Sequence, residues 1–397
     1  MKKILMPVTF LTALLLAVLF GELLPDCARS FFYALSLFIK ECMIFALPLV
    51  IFSLIFTSVK KIGIGSVKFL LLVIPLISCS NFLNTLISYM LFAFCIKTNL
   101  ISSVHKIAES ALSPLAPSFS FSFPTIVSND VALLSALVLG TVLVLIDRRS
   151  NASRLNIGKL SERLSHFLES FIKRFFKILI PLMPLFIFGT ALKLGHDGMI
   201  SSIISQYLTI MVIFLISAYG YVFIQLFALS SFSFEKCANY FKNLLPAIVA
   251  GFGSMSSAVA LPLSIKAAEE NSLNKNNARI IAPCSVNIHL VGDCFFIPFV
   301  ALAILLSFGD SVPSIATYIV FALHFVMAKF AVAAIPGGGI IVMLPILQNY
   351  LGFNSDMLGL ITALSVLFDP FITGCNVAGN GSLAIFFDKI TARSKRC

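Results

Sequence analysis

Long uninterrupted runs of apolar residues constrain the fold of this chain more than any other feature. Six such runs precede residue 230, among them 4–20, 31–59 and 203–229. Each is long enough for a membrane-spanning helix of about 20 residues, and longer than the roughly 9 to 11 residues of a barrel strand. Because backbone polar groups in lipid must be satisfied internally, these runs predict an all-α polytopic membrane protein.

The composition favours the same class. Of the 397 residues 59% are hydrophobic and 11% are charged, whereas a soluble domain carries about 25% charged residues. An ordinary cytosolic enzyme, a disordered chain and a disulfide-stapled secreted domain are therefore excluded. The nine Cys residues occur singly without CxxC spacing, which is typical of buried or cytosolic thiols.

The net charge of +11 does not indicate a nucleic-acid partner, because Lys and Arg lie in short clusters between apolar runs. This placement follows the positive-inside rule and predicts an integral protein of the plasma (inner) membrane with both termini in the cytoplasm. The first run, 1–20, has a basic start but no small-residue cleavage site after it, so we expect it to be retained as the first span.

The second half of the chain has two interrupted apolar segments. The segment 244–265 is broken at Ser254-Met-Ser-Ser257, and the segment 315–351 is broken at Ala334-Ile-Pro-Gly-Gly-Gly339. The charge bias predicts that the first enters from the cytoplasm and the second from outside, each followed by a long apolar run, 280–307 and 357–387. Paired interrupted segments indicate an inverted repeat around a transporter's binding site. The expected fold therefore has eight transmembrane helices plus two opposed re-entrant helical hairpins.

Polar residues inside these apolar segments are candidates for function, because they are costly in a membrane. His289 and Asp293 are four residues apart, on one helix face. The last run carries a single polar stripe, which consists of Asp369, Thr373, Asn376 and Asn380. The alternative role for such residues is interhelical hydrogen bonding worth about 1 kcal/mol per contact. Lys329 and His324 are expected to be solvated in an outer vestibule.

Four motifs together resemble the dicarboxylate/amino acid:cation symporter family, also called the glutamate transporter family. The sequence at 254–262 resembles the serine-rich tip of the family's first hairpin. The sequence at 289–292 falls where the family has Asn-Met-Asp-Gly-Thr, and 334–339 is similar to Gly-Ile-Pro-Gly-Ala-Gly of the second hairpin. The stretch 369–380 resembles the substrate-binding part of the final helix.

The resemblance implies a homotrimer embedded in membrane lipid, with an elevator-type mechanism. Residues 1–240 would form six helices that provide the trimerisation scaffold and part of the moving unit, and residues 241–397 the transport core. Asp369 would hold the substrate's amino group, and Thr373 and Asn376 its backbone polar atoms. Its carboxylate would be held by Ser256 and Ser257 with the second hairpin tip, which consists of Pro336, Gly337 and Gly338. No cofactor is implied beyond a coupling ion.

Departures from the family pattern bear on substrate and ion. Ile372 stands where glutamate carriers have an arginine, so an acidic substrate lacks its bidentate partner and a neutral amino acid is favoured. Asn380 replaces a sodium-binding Asp of the family, and His289 and Val291 replace its Asn and Asp. The ion-coupling candidates are Asn84, Thr85, His289, Asp293, Asn376 and Asn380.

Two coupling ions stay open at this point, with an uncoupled carrier as a third alternative. Na⁺ could bind at Asn376, Asn380 and Asp293, or His289 beside Asp293 could carry a proton. Two other functional classes are an intramembrane aspartyl protease, in which Asp293 and Asp369 would share a proton, and an ion channel with Pro-Gly-Gly-Gly as its filter. The protease leaves the opposed hairpins unexplained, which favours the symporter.

Overall fold

The computed structural model describes residues 5–63, 67–101, 115–124, 127, 129–149, 157–198, 200–330, 332 and 338–394. Every regular element within these ranges is helical, which confirms the predicted all-α class. The helices are α1 Leu5–Phe20, α2 Asp26–Gly63, α3 Val67–Lys97, α4 Asn129–Arg149, α5 Ile157–His196, α6 Ile200–Leu229, α7 Phe234–Ser254, α8 Ser257–Asn271, α9 Lys275–Ser285, α10 Val291–Ser307, α11 Ile315–Lys329, α12 Gly338–Leu351 and α13 Ser355–Ser394, with a 3-10 turn at Gly21–Leu23.

Length and hydropathy identify membrane-crossing helices within the described ranges. Three segments are long and apolar enough to span a bilayer: Leu72–Lys97, Tyr207–Leu229 and Ser355–Thr391. The shorter helix α10 is apolar and buried along almost its whole length. A helix that is hydrophobic all round belongs in the core of a bundle, and α10 occupies that place between α3, α6 and α13.

The helices form two packing groups. In the first group α2 packs against α4 and α5, and α1 packs against α5. In the second group α13 packs against α6, α7, α8, α9 and α10, while α3 packs against α10 and α11. Helices α3 and α6 therefore associate with the carboxy-terminal part of the chain, although their sequence lies before residue 240.

Both interrupted segments fold as helix pairs. α7 and α8 pack against each other, and the chain turns between them at Met255, whose φ of 51° is left-handed. The hydroxyl of Ser254 donates to the carbonyl of Ala250 at 2.6 Å and so closes the last turn of α7. α11 and α12 form the second pair, and 333–337 between them lie outside the described residues.

One predicted continuous helix is divided. The run 280–307 was expected to form a single span, but α9 ends at Ser285 and α10 begins at Val291. The side chain of Asn81 in α3 stabilises this break, because its amide donates to the carbonyl of Ile288 at 2.7 Å and accepts from the backbone nitrogen of Leu290 at 3.3 Å. A buried backbone break needs such partners.

The two ends of α13 are held by different kinds of contact. At its first turn Asp356 accepts a hydrogen bond from Tyr33 at 3.2 Å and lies 3.3 Å from Nζ of Lys193. Lys193 is also 2.5 Å from Asp197. At the other end Asp388 accepts hydrogen bonds from the backbone nitrogens of the residues that link α8 to α9, at 2.6 Å for Leu273 and 3.2 Å for Asn274.

Candidate functional site

The amino terminus of α10 is capped by a side chain from α13. Oδ1 of Asn376 accepts hydrogen bonds from the backbone nitrogens of Gly292 at 2.8 Å and Asp293 at 3.3 Å. The first N–H groups of a helix have no partner within the helix, and the local N-cap residue Leu290 has no side chain that could serve. Asn376 therefore joins the two helices that carry the predicted polar residues.

Asp293 lies at the meeting point of α10, α11 and α13. Its Oδ2 accepts a hydrogen bond from Nδ2 of Asn376 at 2.7 Å, and its Oδ1 is 3.3 Å from Nζ of Lys329. Gly339, in the first turn of α12, has its Cα directly against the same carboxylate. The structure thus brings Asp293 and Asn376 together as the sequence predicted, and it adds the second helix pair to the cluster.

The expectation for Lys329 is wrong. It was expected in a solvated outer vestibule, but its side chain is 0% exposed. Its ammonium lies against Asp293 and 4.5 Å from the centroid of the Phe325 ring. An ammonium out of water requires a counter-charge, and Asp293 supplies one that could not be identified from a sequence separation of 36 residues. His324 is half-buried and stacks on Tyr350.

His289 lies in the break before α10, bound to α3. Its Nε2 is 2.9 Å from Oγ of Ser80, and its Nδ1 is buried without a hydrogen-bond partner among the described residues. Asn380 lies beside the ring and its side chain interacts with the imidazole, but neither of its buried amide atoms makes a hydrogen bond of good geometry with the described residues.

The expectation that His289 and Asp293 share a helix face is wrong, because α10 begins at Val291, after His289. Among the described residues the two groups have separate partners, Ser80 for His289 and Asn376 with Lys329 for Asp293.

A cavity of about 520 Å³ opens beside His289, between α3, α6 and α13. Its wall is mainly apolar, with polar groups from Ser80, Gln225 and Ser382. The hydroxyl of Ser382 donates to Gln225 at 2.8 Å, so these two side chains satisfy each other.

The remaining coupling candidates lie on α3. Both amide atoms of Asn84 are buried without a partner in the described structure. Thr85 uses its hydroxyl within α3, donating to the carbonyl of Asn81 at 2.9 Å, while its own carbonyl accepts from Tyr318 of α11 at 2.8 Å. Sequence reasoning missed Ser80 and Asn81, although they lie about one helical turn before Asn84 and Thr85, with only Phe82 and Leu83 between the two pairs.

One substrate candidate on α13, Thr373, lies near the end of α7, the first arm of the first helix pair. The hydroxyl of Thr373 donates to Oδ1 of half-buried Asp369 at 3.1 Å, one turn away. Gly251, in the last turns of α7, packs so closely that an added Cβ would lie 2.8 Å from Val377 and 3.5 Å from Thr373. The end of α7 therefore packs against α13 beside Thr373, a member of the polar stripe.

The serine pair lies just beyond the left-handed turn. Ser256 is the N-cap residue of α8 and Ser257 its first helical residue, and both are buried. Ile372 is also buried, and its carbonyl oxygen lies against Cα of Gly292, where a Cβ would collide with it. Pro336 and Gly337 lie outside the described residues, and Gly338 begins α12.

Comparison with known proteins places these features in a family. A profile of the sodium:dicarboxylate symporter family matches residues 6–390. The chain is similar to human excitatory amino acid transporter 2, with 27% identity over 143 residues, which is 36% of this chain and 25% of that protein. Human excitatory amino acid transporter 1 is 28% identical over 145 residues, covering 35% and 25% of the two chains.

A symporter of Haemophilus influenzae matches over a longer stretch. It is 24% identical over 263 residues, which is 64% of this chain and 57% of that protein. The alignments with the two human relatives span about a quarter of those proteins' length. The family profile, in contrast, covers nearly the whole chain, from the second residue of α1 to the last turns of α13. This chain belongs to the sodium:dicarboxylate symporter family.

Proposed function

We propose that this chain is a secondary active symporter. It moves a small amino acid, or a related small carboxylate, across the membrane together with Na⁺ or H⁺, and the gradient of that ion drives the transport. Its family consists of transporters and not of enzymes. The observation that supports the proposal is the approach of Gly251 in α7 to Thr373 in α13, because Thr373 also donates a hydrogen bond to Asp369. In this proposal the negatively charged Asp369 binds the amino group of a small ligand, and the N–H groups at the start of α8 bind its carboxylate.

The substrate's amino group binds Asp369 in this proposal. Asp369 is the half-buried carboxylate of the stripe, and Thr373 holds one of its oxygens in place. The substrate's carboxylate binds at the start of α8, because a helix amino terminus presents free N–H groups to an anion. Ser256 and Ser257 add hydroxyls there, and the resemblance to the family suggests a contribution from the second hairpin tip.

A neutral substrate is favoured over an acidic one. Position 372 offers an apolar side chain, so the site provides no guanidinium for a second carboxylate. Two relatives are named as excitatory amino acid transporters, and the family name specifies dicarboxylates. We propose that this chain differs from those proteins in substrate because of Ile372.

The membrane arrangement is eight transmembrane helices and two opposed re-entrant hairpins, α7–α8 and α11–α12, in the inner membrane with both termini cytoplasmic. The helix-end contacts support it, since Lys193 and Asp356, which the charge pattern puts outside, lie together, and Asp388 and Leu273, which it puts inside, lie together. We further propose a homotrimer in which residues 1–240 supply the scaffold and part of the moving unit, and residues 241–397 the core of an elevator.

Uptake of a labelled amino-acid panel into proteoliposomes tests the function, with Na⁺ and H⁺ gradients imposed separately. Wild type is expected to accumulate neutral amino acids on at least one gradient. Asp369→Asn is expected to abolish uptake, whereas Asp310→Asn, which changes an exposed carboxylate in the loop after α10, is the matched control and should keep it. Ile372→Arg should shift the preference toward acidic substrates.

Each other result contradicts a named part of the proposal. A wild-type preference for glutamate or aspartate overturns the interpretation of Ile372. Accumulation on neither gradient indicates an uncoupled carrier, and currents far above carrier turnover indicate a channel. An aspartyl protease requires two carboxylates that share a proton. The bonding of both Asp293 oxygens, to Lys329 and Asn376, disfavours that chemistry.

A further inference from the structure

We propose that the ammonium of Lys329 is a built-in cation at the position beside Asp293 and Asn376, and that this position therefore binds no Na⁺. The inference rests on the proposed function, because a sodium site is expected at this position only in an ion-coupled symporter. The donor atoms that the described residues present there do not fit a sodium ion.

The amide of Asn376 has no oxygen to offer a cation. Its Oδ1 accepts hydrogen bonds from two backbone nitrogens, those of Gly292 and Asp293. The reversed amide would set an NH₂ group against two N–H donors, so the bonding fixes the orientation. Nδ2 then faces Oδ2 of Asp293 at 2.7 Å, and a donor group stands where a sodium site needs an acceptor.

The carboxylate of Asp293 is likewise occupied. Oδ2 accepts from Asn376 and Oδ1 lies 3.3 Å from Nζ of Lys329. Asp293 is 7% exposed and Lys329 0%, so little water screens the ammonium from a second cation. A sodium ion at Oδ1 would stand beside a like charge in a low-dielectric interior, where such repulsion is strong.

Two attractions hold the ammonium of Lys329 at this position. Its ammonium is attracted by Asp293 and also by the face of the Phe325 ring at 4.5 Å. It ends α11, and Gly339 at the start of α12 contacts the same carboxylate. The tethered cation therefore joins α11 to α10, and the start of α12 packs against the carboxylate that it neutralises.

Sodium-dependent unfolding of the purified full-length protein in nanodiscs tests the inference without any substrate. Unfolding is followed by circular dichroism in NaCl and in choline chloride at equal ionic strength, because the chain contains no tryptophan. Lys329→Met keeps the length of the side chain and removes its charge. It is expected to gain a sodium-specific rise in unfolding temperature that wild type lacks and that Lys329→Met/Asp293→Asn loses again.

Lys40→Met is the matched control, because Lys40 is also buried and pairs with Glu41 and Ser355 at another place in the fold. It should gain no sodium response. If Lys329→Met does not fold, the sodium-specific change in unfolding temperature is compared between wild type and Lys329→Met/Asp293→Asn, which removes both charges of the ion pair together. An unchanged sodium response in the double variant supports the inference.

Two results overturn it: a wild-type sodium response that the double variant loses, or a folded Lys329→Met without any gain. Neither depends on transport, so a failure of the proposed function, seen as absent uptake in proteoliposomes, is distinguishable from a failure of the built-in cation.

Discussion

The side-chain oxygen of Asn376 lies 2.8 Å from the backbone nitrogen of Gly292, so a residue of α13 caps the amino terminus of α10. One turn further along α13, Asn380 is buried, and neither of its amide atoms makes a hydrogen bond of good geometry with the described residues. The two asparagines lie on one helix face, but only Asn376 caps backbone N–H groups of another helix. Asn380 can therefore serve as a control for Asn376.

Replacing each asparagine by leucine, which has a similar shape, tests this difference. Asn376→Leu is expected to lower the free energy of unfolding by about 1–3 kcal/mol, because it leaves buried N–H groups of α10 without an acceptor. Asn380→Leu should cost less than Asn376→Leu, because Asn380 caps no backbone group and its amide makes no hydrogen bond of good geometry. Chemical unfolding in detergent measures both, and equal destabilisation by the two variants would contradict the capping role.

Gly292 is required by the close approach of α10 to α13. A Cβ at this position would collide with the carbonyl oxygen of Ile372 and lie 3.1 Å from Cβ of Cys375. Backbone atoms cannot move aside cheaply, so Gly292→Ala should destabilise the protein by about 1–3 kcal/mol. Gly253→Ala is the control, because no atom lies within 4 Å of the added Cβ. Thermal unfolding compares them; a tolerated Gly292→Ala would show that the two helices can separate.

Asp197, just after α5, is expected to make the free energy of unfolding fall at acidic pH. Burial raises the pKa of its carboxyl, but hydrogen bonds from Lys193 and the backbone nitrogen of Leu115 outweigh burial and hold the pKa below its usual value. A depressed pKa means that the stabilisation is present above the unfolded pKa of about 3.9 and is lost as pH falls through the folded pKa.

Wild type should therefore lose more stability than Asp197→Asn between about pH 5 and pH 2. The measurement is the unfolding temperature by circular dichroism across that range. The neutral variant starts lower at neutral pH, because Lys193 then loses one of its two carboxylate partners and keeps Asp356. Parallel curves for the two proteins would rule out Asp197 as the acid-sensitive group.

The sequence predicts the helices well, but it predicts only some of the breaks between them. Apolar runs impose helix in a membrane whatever their neighbours are, so the helical class follows from composition and run length. The turn at Met255 was predicted from the Gly and Ser residues around it. The break between α9 and α10 was not, because it depends on Asn81, more than 200 residues away in sequence, which satisfies the freed backbone groups.

The site was predicted to a similar extent. Spacing along α13 and α10 identified Asn376 and Asp293, and the structure joins them. The burial of Lys329 could not be predicted, since a lysine at a helix end can reach water or a buried carboxylate and only the tertiary arrangement decides. The roles of Asp369, Ser256 and Ile372 in substrate binding stay predictions until uptake is measured.

The contacts at the two ends of α13 differ in how they can come apart. Asp388 binds backbone nitrogens of the link between α8 and α9, which belong to the same packing group. Asp356 binds only the tips of Tyr33 and Lys193, which belong to the other group. If the two groups separate, water can replace these side-chain contacts, whereas the contacts of Asp388 lie within one group and need not break.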